Sequence, residues 1–464
     1  MSVTKRLEFS SILEAGALLR ARAISSVDLT RLMLDRIEAL DPELNAFVTV
    51  TGDLALQQAS QADVELAEGA DRGPLHGIPI AIKDLFATAN VLTTGGSKYY
   101  EDWIPDYDST TVTKLSDAGA VLLGKTGLHE LAFGSTSINP WYGAIANPWK
   151  LDHHPGGSSG GSAVAVAAGM AYAAIGSDTG CSVRQPAQCC GIVGFKPSYG
   201  LVSLAGVMPL VSSMDHVGPL TRTVNDAAAV LAAIQGYDEN DPSSVDHPMP
   251  DYTMSMSRGL DETTVGVPRE FFFSGGDPEV VDIVSRAIEQ FSKLGAAVID
   301  VDLRDAEEAY KQADVTFSEI ANSNGDALAD NPDAFSVPFQ QRFAAVTRCS
   351  NEDYDQAQKF RAMFRQSVES ILQDCDVLAT PTSTVAAAPI AAQPRNHDVE
   401  RRKNTCVFNF TGHPSISVPC GFTEAGLPVG LMLTGGLFKD GEVLRFARAF
   451  EQATEWHDRH PNVG

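Results

Sequence analysis

Residues 78–82 read Ile-Pro-Ile-Ala-Ile and deliver a lysine, Lys83, ahead of Asp84. A strand with one wet face alternates apolar and polar residues, so an unbroken apolar run marks a strand buried on both faces. A chain that builds such strands must cover its sheet on both sides. Similar runs recur at 120–123, just before Gly124-Lys125-Thr126, and at 264–267, 297–301, 377–379 and 415–418. Helical patterns lie between them. Residues 25–40 carry apolar side chains at helical spacing behind Ser25, a capping residue, 281–294 reads as a helix, and 163–169 reads as a small-residue helix opening from a glycine-rich loop. The expected fold is α/β, a large mixed twisted sheet with helices on both faces.

The chain has 464 residues, 44% hydrophobic and 20% charged, enough to bury a sizeable core in one extended domain. Its net charge of −25, from 59 acidic against 34 basic residues, repels phosphate backbones and anionic bilayers, so neither nucleic acid nor membrane is an expected partner. Seven cysteines without a Cys-x-x-Cys pair fit neither a zinc site nor a disulfide framework, which points to a reducing cytoplasm. Near the N-terminus, Lys5 and Arg6 are followed by Glu14 and Arg20, which interrupt any signal-peptide core. No metal or cofactor is expected.

Three motifs mislead. Gly119 to Thr126 satisfies the phosphate-loop pattern letter for letter, yet its four middle residues are apolar and strand-like, whereas a phosphate cradle needs a loop that exposes backbone N–H groups. Gly156-Gly157-Ser158-Ser159-Gly160 satisfies the nucleophile-elbow pattern, but the polar, twice proline-broken 147–155 gives no strand to feed it, and of the later histidines only His216 and His413 stand in recognisably structured surroundings. His153 and His154, with His129 or His216, lack ligand spacing for a metal.

The preferred reading joins Lys83 to two serines, Ser158 and Ser182. An ordinary lysine, with a pKa of about 10.4, is no base near neutrality, but burial favours the neutral amine. A neutral Lys83 would draw a proton from Ser158, which would draw one from Ser182 and leave that oxygen to attack a carbonyl carbon. The small residues Thr179-Gly180-Cys181 before Ser182 would let backbone N–H groups converge on the resulting oxyanion. Taken singly, each element also reads as a strand end or a Gly-Ser turn.

Together these residues resemble the amidase signature family. The similarity runs from Gly77 to Asp84, through Gly124-Lys125-Thr126, His129-Glu130, Asn147-Pro148 and the Gly-Ser block, to Asp178 through Arg184, Gly194-Phe195-Lys196-Pro197 and Gly218-Pro219-Leu220-Thr221-Arg222-Thr223. It closes with Thr380-Pro381-Thr382 and Gly426-Leu427-Pro428-Val429-Gly430-Leu431. The resemblance implies the amidase-signature fold, Lys83 as general base, Ser158 as the cis-serine relay and Ser182 as the acyl-enzyme nucleophile. It further implies an oxyanion hole at Thr179, Gly180, Cys181 and Ser182, an acyl pocket at Gly134, Ser135 and Thr136, and Asp178 and Arg184 as braces of the nucleophile loop. Three positions depart from the family pattern: Cys181 replaces a glycine, Gly127 an asparagine and Met432 a glutamine.

Along the chain this suggests a helical segment at about 1–70, the signature core at 71–236, a variable substrate-shaping region at 237–401 and completion of the sheet at 402–464. Phe271, Phe272, Phe273, Phe317 and Phe339 are candidates for an apolar wall or for plain core. The expected activity is hydrolysis of a small to medium apolar or aryl amide by a monomer or homodimer. Carbamate or ester hydrolysis by the same triad is an alternative. So is the glutamine-dependent component of a tRNA-amidating complex, set second because the landmarks of that component are missing around Phe317 to Asn322 and Val207 to His216.

Overall fold

The computed structural model describes residues 6–392 and 398–463. Lys5 lies outside the described residues. In chain order the strands are β1 Phe47–Val50, β2 Pro79–Lys83, β3 Val121–Thr126, β4 Ile138–Asn139, β5 Gly143–Ala144, β6 Ala173–Ser177, β7 Val193–Lys196, β8 Val217–Thr221, β9 Thr264–Val267, β10 Ala297–Asp300, β11 Val377–Pro381, β12 Ser415–Phe422 and β13 Pro428–Thr434. The short β4 and β5 pair with each other, and the remaining eleven form one sheet in the order β1-β3-β2-β6-β8-β7-β12-β13-β11-β9-β10. The sheet is mixed: β3, β2 and β6 run parallel, as do β11, β9 and β10, while the joints between these groups are antiparallel.

The apolar runs become strands for the reason the sequence suggests. All residues of β2, β3, β6, β7 and β8 are buried, so each face of the central sheet lies against helices. Five strands of the large sheet escape the sequence reading, namely β1, β6, β7, β8 and β13. β6 is Ala-Ala-Ile-Gly-Ser and β7 Val-Gly-Phe-Lys, runs whose small and single polar residues carry little periodic signal. The first long helix, Ser26–Leu44, begins as expected with a capping box of Ser25 and Asp28, but runs beyond residue 40 through Pro42 and stops at Asn45 in a left-handed conformation. The helix after the glycine-rich block opens earlier than expected and spans Gly160–Ala167. The 238–261 connection contains one short helix, Tyr252–Met256.

The phosphate-loop pattern is a strand. Lys125 is fully buried within β3 and donates Nζ to the Phe86 carbonyl and to Thr93 Oγ1, both at 2.6 Å, beside Asp84. Gly124 is required by packing instead of by any phosphate: a Cβ there would stand 2.2 Å from the Thr49 carbonyl oxygen of the neighbouring β1. Replacing Gly124 with Ala is expected to destabilise the protein by about 1–3 kcal/mol, the usual cost of overpacking a tight site. Denaturant unfolding measures this, and a loss within about 0.5 kcal/mol would show that β1 yields freely.

Candidate active site

The site is assembled at the carboxyl ends of two adjacent parallel strands, where open α/β sheets place their ligands. β2 pairs with β6 in the register Ile82 to Ile175, so the last residue of β2, Lys83, meets the end of β6 at Ser177. Lys83 Nζ lies 2.9 Å from Ser177 Oγ and 2.6 Å from Ser158 Oγ, and none of its side chain reaches solvent. Burial pushes the Lys83 amine down from 10.5 to about 7, against the opposing pull of Asp178, Asp215 and Cys181. At neutral pH a large share of Lys83 is therefore uncharged.

Ser158 is presented by the glycine block, whose Gly157-Ser158 peptide bond is cis. A Cβ on Gly157 would fall 2.7 Å from the Thr136 nitrogen, so this backbone packs directly on the 135–137 segment. Gly157 N donates to Gln185 Oε1 at 2.9 Å, His129 N to the Ser158 carbonyl at 3.2 Å, and Ser137 Oγ to that same carbonyl at 3.2 Å. Ser159 N donates to the Ser182 carbonyl at 3.2 Å, which ties the two serine segments together. No strand immediately precedes Ser158, and the later histidines are engaged elsewhere. His216 Nδ1 lies 2.7 Å from the Met214 carbonyl, and His413 Nε2 lies 2.8 Å from Glu369 Oε1.

The loop from Asp178 to Arg184 is rigidly braced. Burial by itself would raise the Asp178 carboxyl, but Arg184 and the Val183 N–H hold it well below the usual carboxylate range. Arg184 reaches it through both Nε and Nη2 at 3.0 Å. Asn409 Nδ2 donates to the Asp178 carbonyl at 2.7 Å and to its side chain at 3.0 Å, while Thr405 Oγ1 donates to the Gly180 carbonyl at 2.6 Å. Thr179 Oγ1 donates to Asp215 at 2.5 Å. The helix Asp398–Thr411 brings Arg402, Thr405, Cys406 and Asn409 to this loop because three- and four-residue steps share one helix face. Two of the departures from the family pattern fall here. Met432 Sδ accepts from Arg184 Nη1 at 3.6 Å, and Cys181 Sγ lies 3.5 Å from the Gly157 carbonyl. Burial pushes the Cys181 thiol up to about 12, so it supplies no thiolate near neutrality.

Ser182 opens on a cavity of about 210 Å³ that Thr179, Gly180 and Cys181 also line. Of the expected acyl-pocket residues Gly134 and Ser135 line it as well; Thr136 does not, and its Oγ1 sits 3.4 Å from His129 Nδ1. Phe317 forms part of the wall, whereas Phe272 and Phe339 are core and Phe271 and Phe273 pack against the core. A larger cavity of about 1230 Å³ is lined by Asp215 and Glu319 among others, but it touches none of Lys83, Ser158 and Ser182. The smaller one reaches the three through Ser182. Sequence reasoning names His129 only as a rejected metal ligand and within the His129-Glu130 landmark, and misses Ser177, Asp215, Asn409, Asp314, Arg342 and Arg402. Of the residues missed, only Ser177 has a local signal, its place directly before Asp178.

The Amidase family model matches residues 28–444, and the chain belongs to that family. It is 39% identical over 472 residues to the A subunit of glutamyl-tRNA(Gln) amidotransferase from Marinomonas sp. (strain MWYL1), covering 96% of this chain and 97% of that one. Further relatives of that name stand at 40% in Moorella thermoacetica and 41% in Trichlorobacter lovleyi. Among solved structures, one from a vestigial protein complex tied to the origins of an s-triazine catabolic enzyme superposes with a TM-score of 0.90 at 31% identity, covering 96% of this chain and 98% of that one. A bacterial aryl acylamidase of the amidase signature enzymes superposes at 0.88 with 28% identity, covering 97% and 98%. The chain is thus an amidase-family enzyme that hydrolyses carbon–nitrogen bonds. The amidotransferase name of these sequence relatives runs against the expectation of a free-standing hydrolase. Among the described residues no helix is long and apolar enough to cross a membrane.

If Lys83 acts as the base, its neutral form must be present. Protonation below about 7 removes that form, so kcat/KM is expected to fall with acid, approaching tenfold per pH unit, and to level off above about pH 8. A profile that stays flat down to about pH 5 would exclude Lys83 from this role.

Proposed function

We propose that this enzyme hydrolyses a carboxamide through an acyl-enzyme on Ser182. The observation that carries the reading is a buried amine with a pKa of about 7 set 2.6 Å from Ser158 Oγ, beside the cavity that Ser182 lines. Neutral Lys83 takes the Ser158 proton as Ser158 takes that of Ser182. The Ser182 oxygen then bonds to the amide carbon while the backbone N–H groups of 179–182 receive the oxyanion. Collapse breaks the C–N bond as Ser158 returns a proton to the departing nitrogen. Water, deprotonated along the same path, then cleaves the ester and releases the acid. Asp178 and Arg184 hold the loop without entering the reaction.

Two settings share this chemistry. The 39–41% identity to amidotransferase A subunits supports a primary amide as substrate and a partner that receives the ammonia, and we place this reading first. The free-standing hydrolase draws its support from the aryl acylamidase likeness at 28% identity and from the missing landmarks around Phe317 and Val207.

Ser182→Ala is expected to lower kcat by at least about a thousandfold with an unchanged circular dichroism spectrum, and mass spectrometry of quenched wild-type enzyme should find the acyl group on Ser182. Near-normal turnover by Ser182→Ala would refute the nucleophile. Full turnover by the isolated chain, with no stimulation by co-purifying proteins, would favour the free-standing setting.

A further inference from the structure

The cavity at Ser182 runs against the charge of the chain. The protein as a whole carries −25, yet the charged side chains among the described residues lining this cavity are two arginines, Arg342 and Arg402, and a single aspartate, Asp314. Arg342, on the helix Val337–Val346, donates Nη1 to the Phe133 carbonyl at 2.7 Å. A Cβ on Gly134 would stand 2.4 Å from that nitrogen and 2.3 Å from His129 Nε2, so the guanidinium is pressed against the loop that forms the acyl pocket. Burial first, and then Arg342 and Lys83, keep the neighbouring His129 neutral. Arg402 sits 2.7 Å from Asp314 and lies over the rings of Tyr310 at 5.0 Å and Phe317 at 5.6 Å, which hold its planar head in place.

Two fixed guanidiniums in a small, partly enclosed space disfavour a neutral or cationic acyl chain and reward a carboxylate, which can accept paired N–H groups. The volume limits the chain length: about 210 Å³ falls below the roughly 300–1,000 Å³ of sites for drug-sized ligands. Asp314 is engaged with Arg402, so an ammonium beside the carboxylate would have to compete with a guanidinium for the one acid among the described lining residues. We propose that the acyl group accepted here ends in a carboxylate and carries no cation, the substrate being the monoamide of a short dicarboxylic acid whose far carboxylate Arg342 and Arg402 receive. This rests on the acyl-enzyme reading above and sets aside glutamine as the amide donor of the amidotransferase setting; Arg342 and Arg402 act in it as specificity residues.

The full chain is tested in two ways. A neutral fluorophosphonate should label Ser182, seen by mass spectrometry, and glutarate should protect against it at about tenfold lower concentration than butyrate. In turnover, succinamate and glutaramate should exceed butyramide in kcat/KM by about tenfold to a hundredfold, the range expected from charge-assisted hydrogen bonds, with L-glutamine below glutaramate. Arg342→Gln and Arg402→Gln should each shrink the ratio of glutaramate to butyramide, mainly through KM, and Arg342→Lys should restore part of it. A folding defect lowers both substrates and leaves the ratio unchanged. Labelling at Ser182 with no preference for anions would overturn the carboxylate subsite and leave the hydrolase standing. Better turnover of L-glutamine than of glutaramate would overturn the exclusion of a cation. Failure of wild-type Ser182 to label would remove the acyl-enzyme reading, and this inference with it.

Discussion

The proposed chemistry depends on the desolvation of one amine. Lys83 ends a strand whose every residue is buried, and its Nζ meets hydroxyls in place of carboxylates at close range. A carboxylate within hydrogen-bond reach would keep the ammonium charged and end any role as a base. Asp178 and Asp215 raise the amine only from a distance, and each is occupied elsewhere, the first by Arg184 and the second by Thr179 with the backbone at 210 and 211. Contrast Lys125, one strand away and buried as deeply. It lies 3.5 Å from Asp84 and is bonded to a carbonyl and a threonine, an arrangement suited to structure rather than to proton transfer.

That dependence explains the layers around it. Lys83 needs parallel neighbours, since adjacent strand ends with the same polarity are what place Ser177 and the Asp178 loop beside it. The loop needs a brace because small residues have little packing of their own, and the brace comes from a helix more than two hundred residues away, through Thr405 and Asn409. The charged residues of the cavity come from helices far along the chain from Lys83, Arg342 from Val337–Val346 and Arg402 from Asp398–Thr411. The candidate triad and the charges that share a cavity with Ser182 therefore come from different parts of the sequence.

Local pattern is legible in the sequence where it coincides with burial. β2, β9 and the core of β3 stand out as apolar runs, and the phosphate-loop match fails on the same observation in sequence and structure, four strand-like residues in a place that needs a loop. Legibility is lost where small or single polar residues blunt the periodicity, as in β6 and β7. Met432 shows a finer limit. As a sequence departure it has no obvious meaning, yet in the structure it lies against the Arg184 guanidinium.

By itself the sequence determined the α/β class, the family and the candidate residues Lys83, Ser158 and Ser182, because buried strands and glycine-serine blocks write themselves into contiguous residues. Only the tertiary structure decided how those residues are tuned and what lies opposite them. A lysine amine is pushed from 10.5 down to about 7 only when water is removed from around it, a property of the whole packed sheet. Arg342 and Arg402 acquire meaning only when two distant helices bring them to one cavity with Ser182, since a charge in a linear chain carries no record of what it will face.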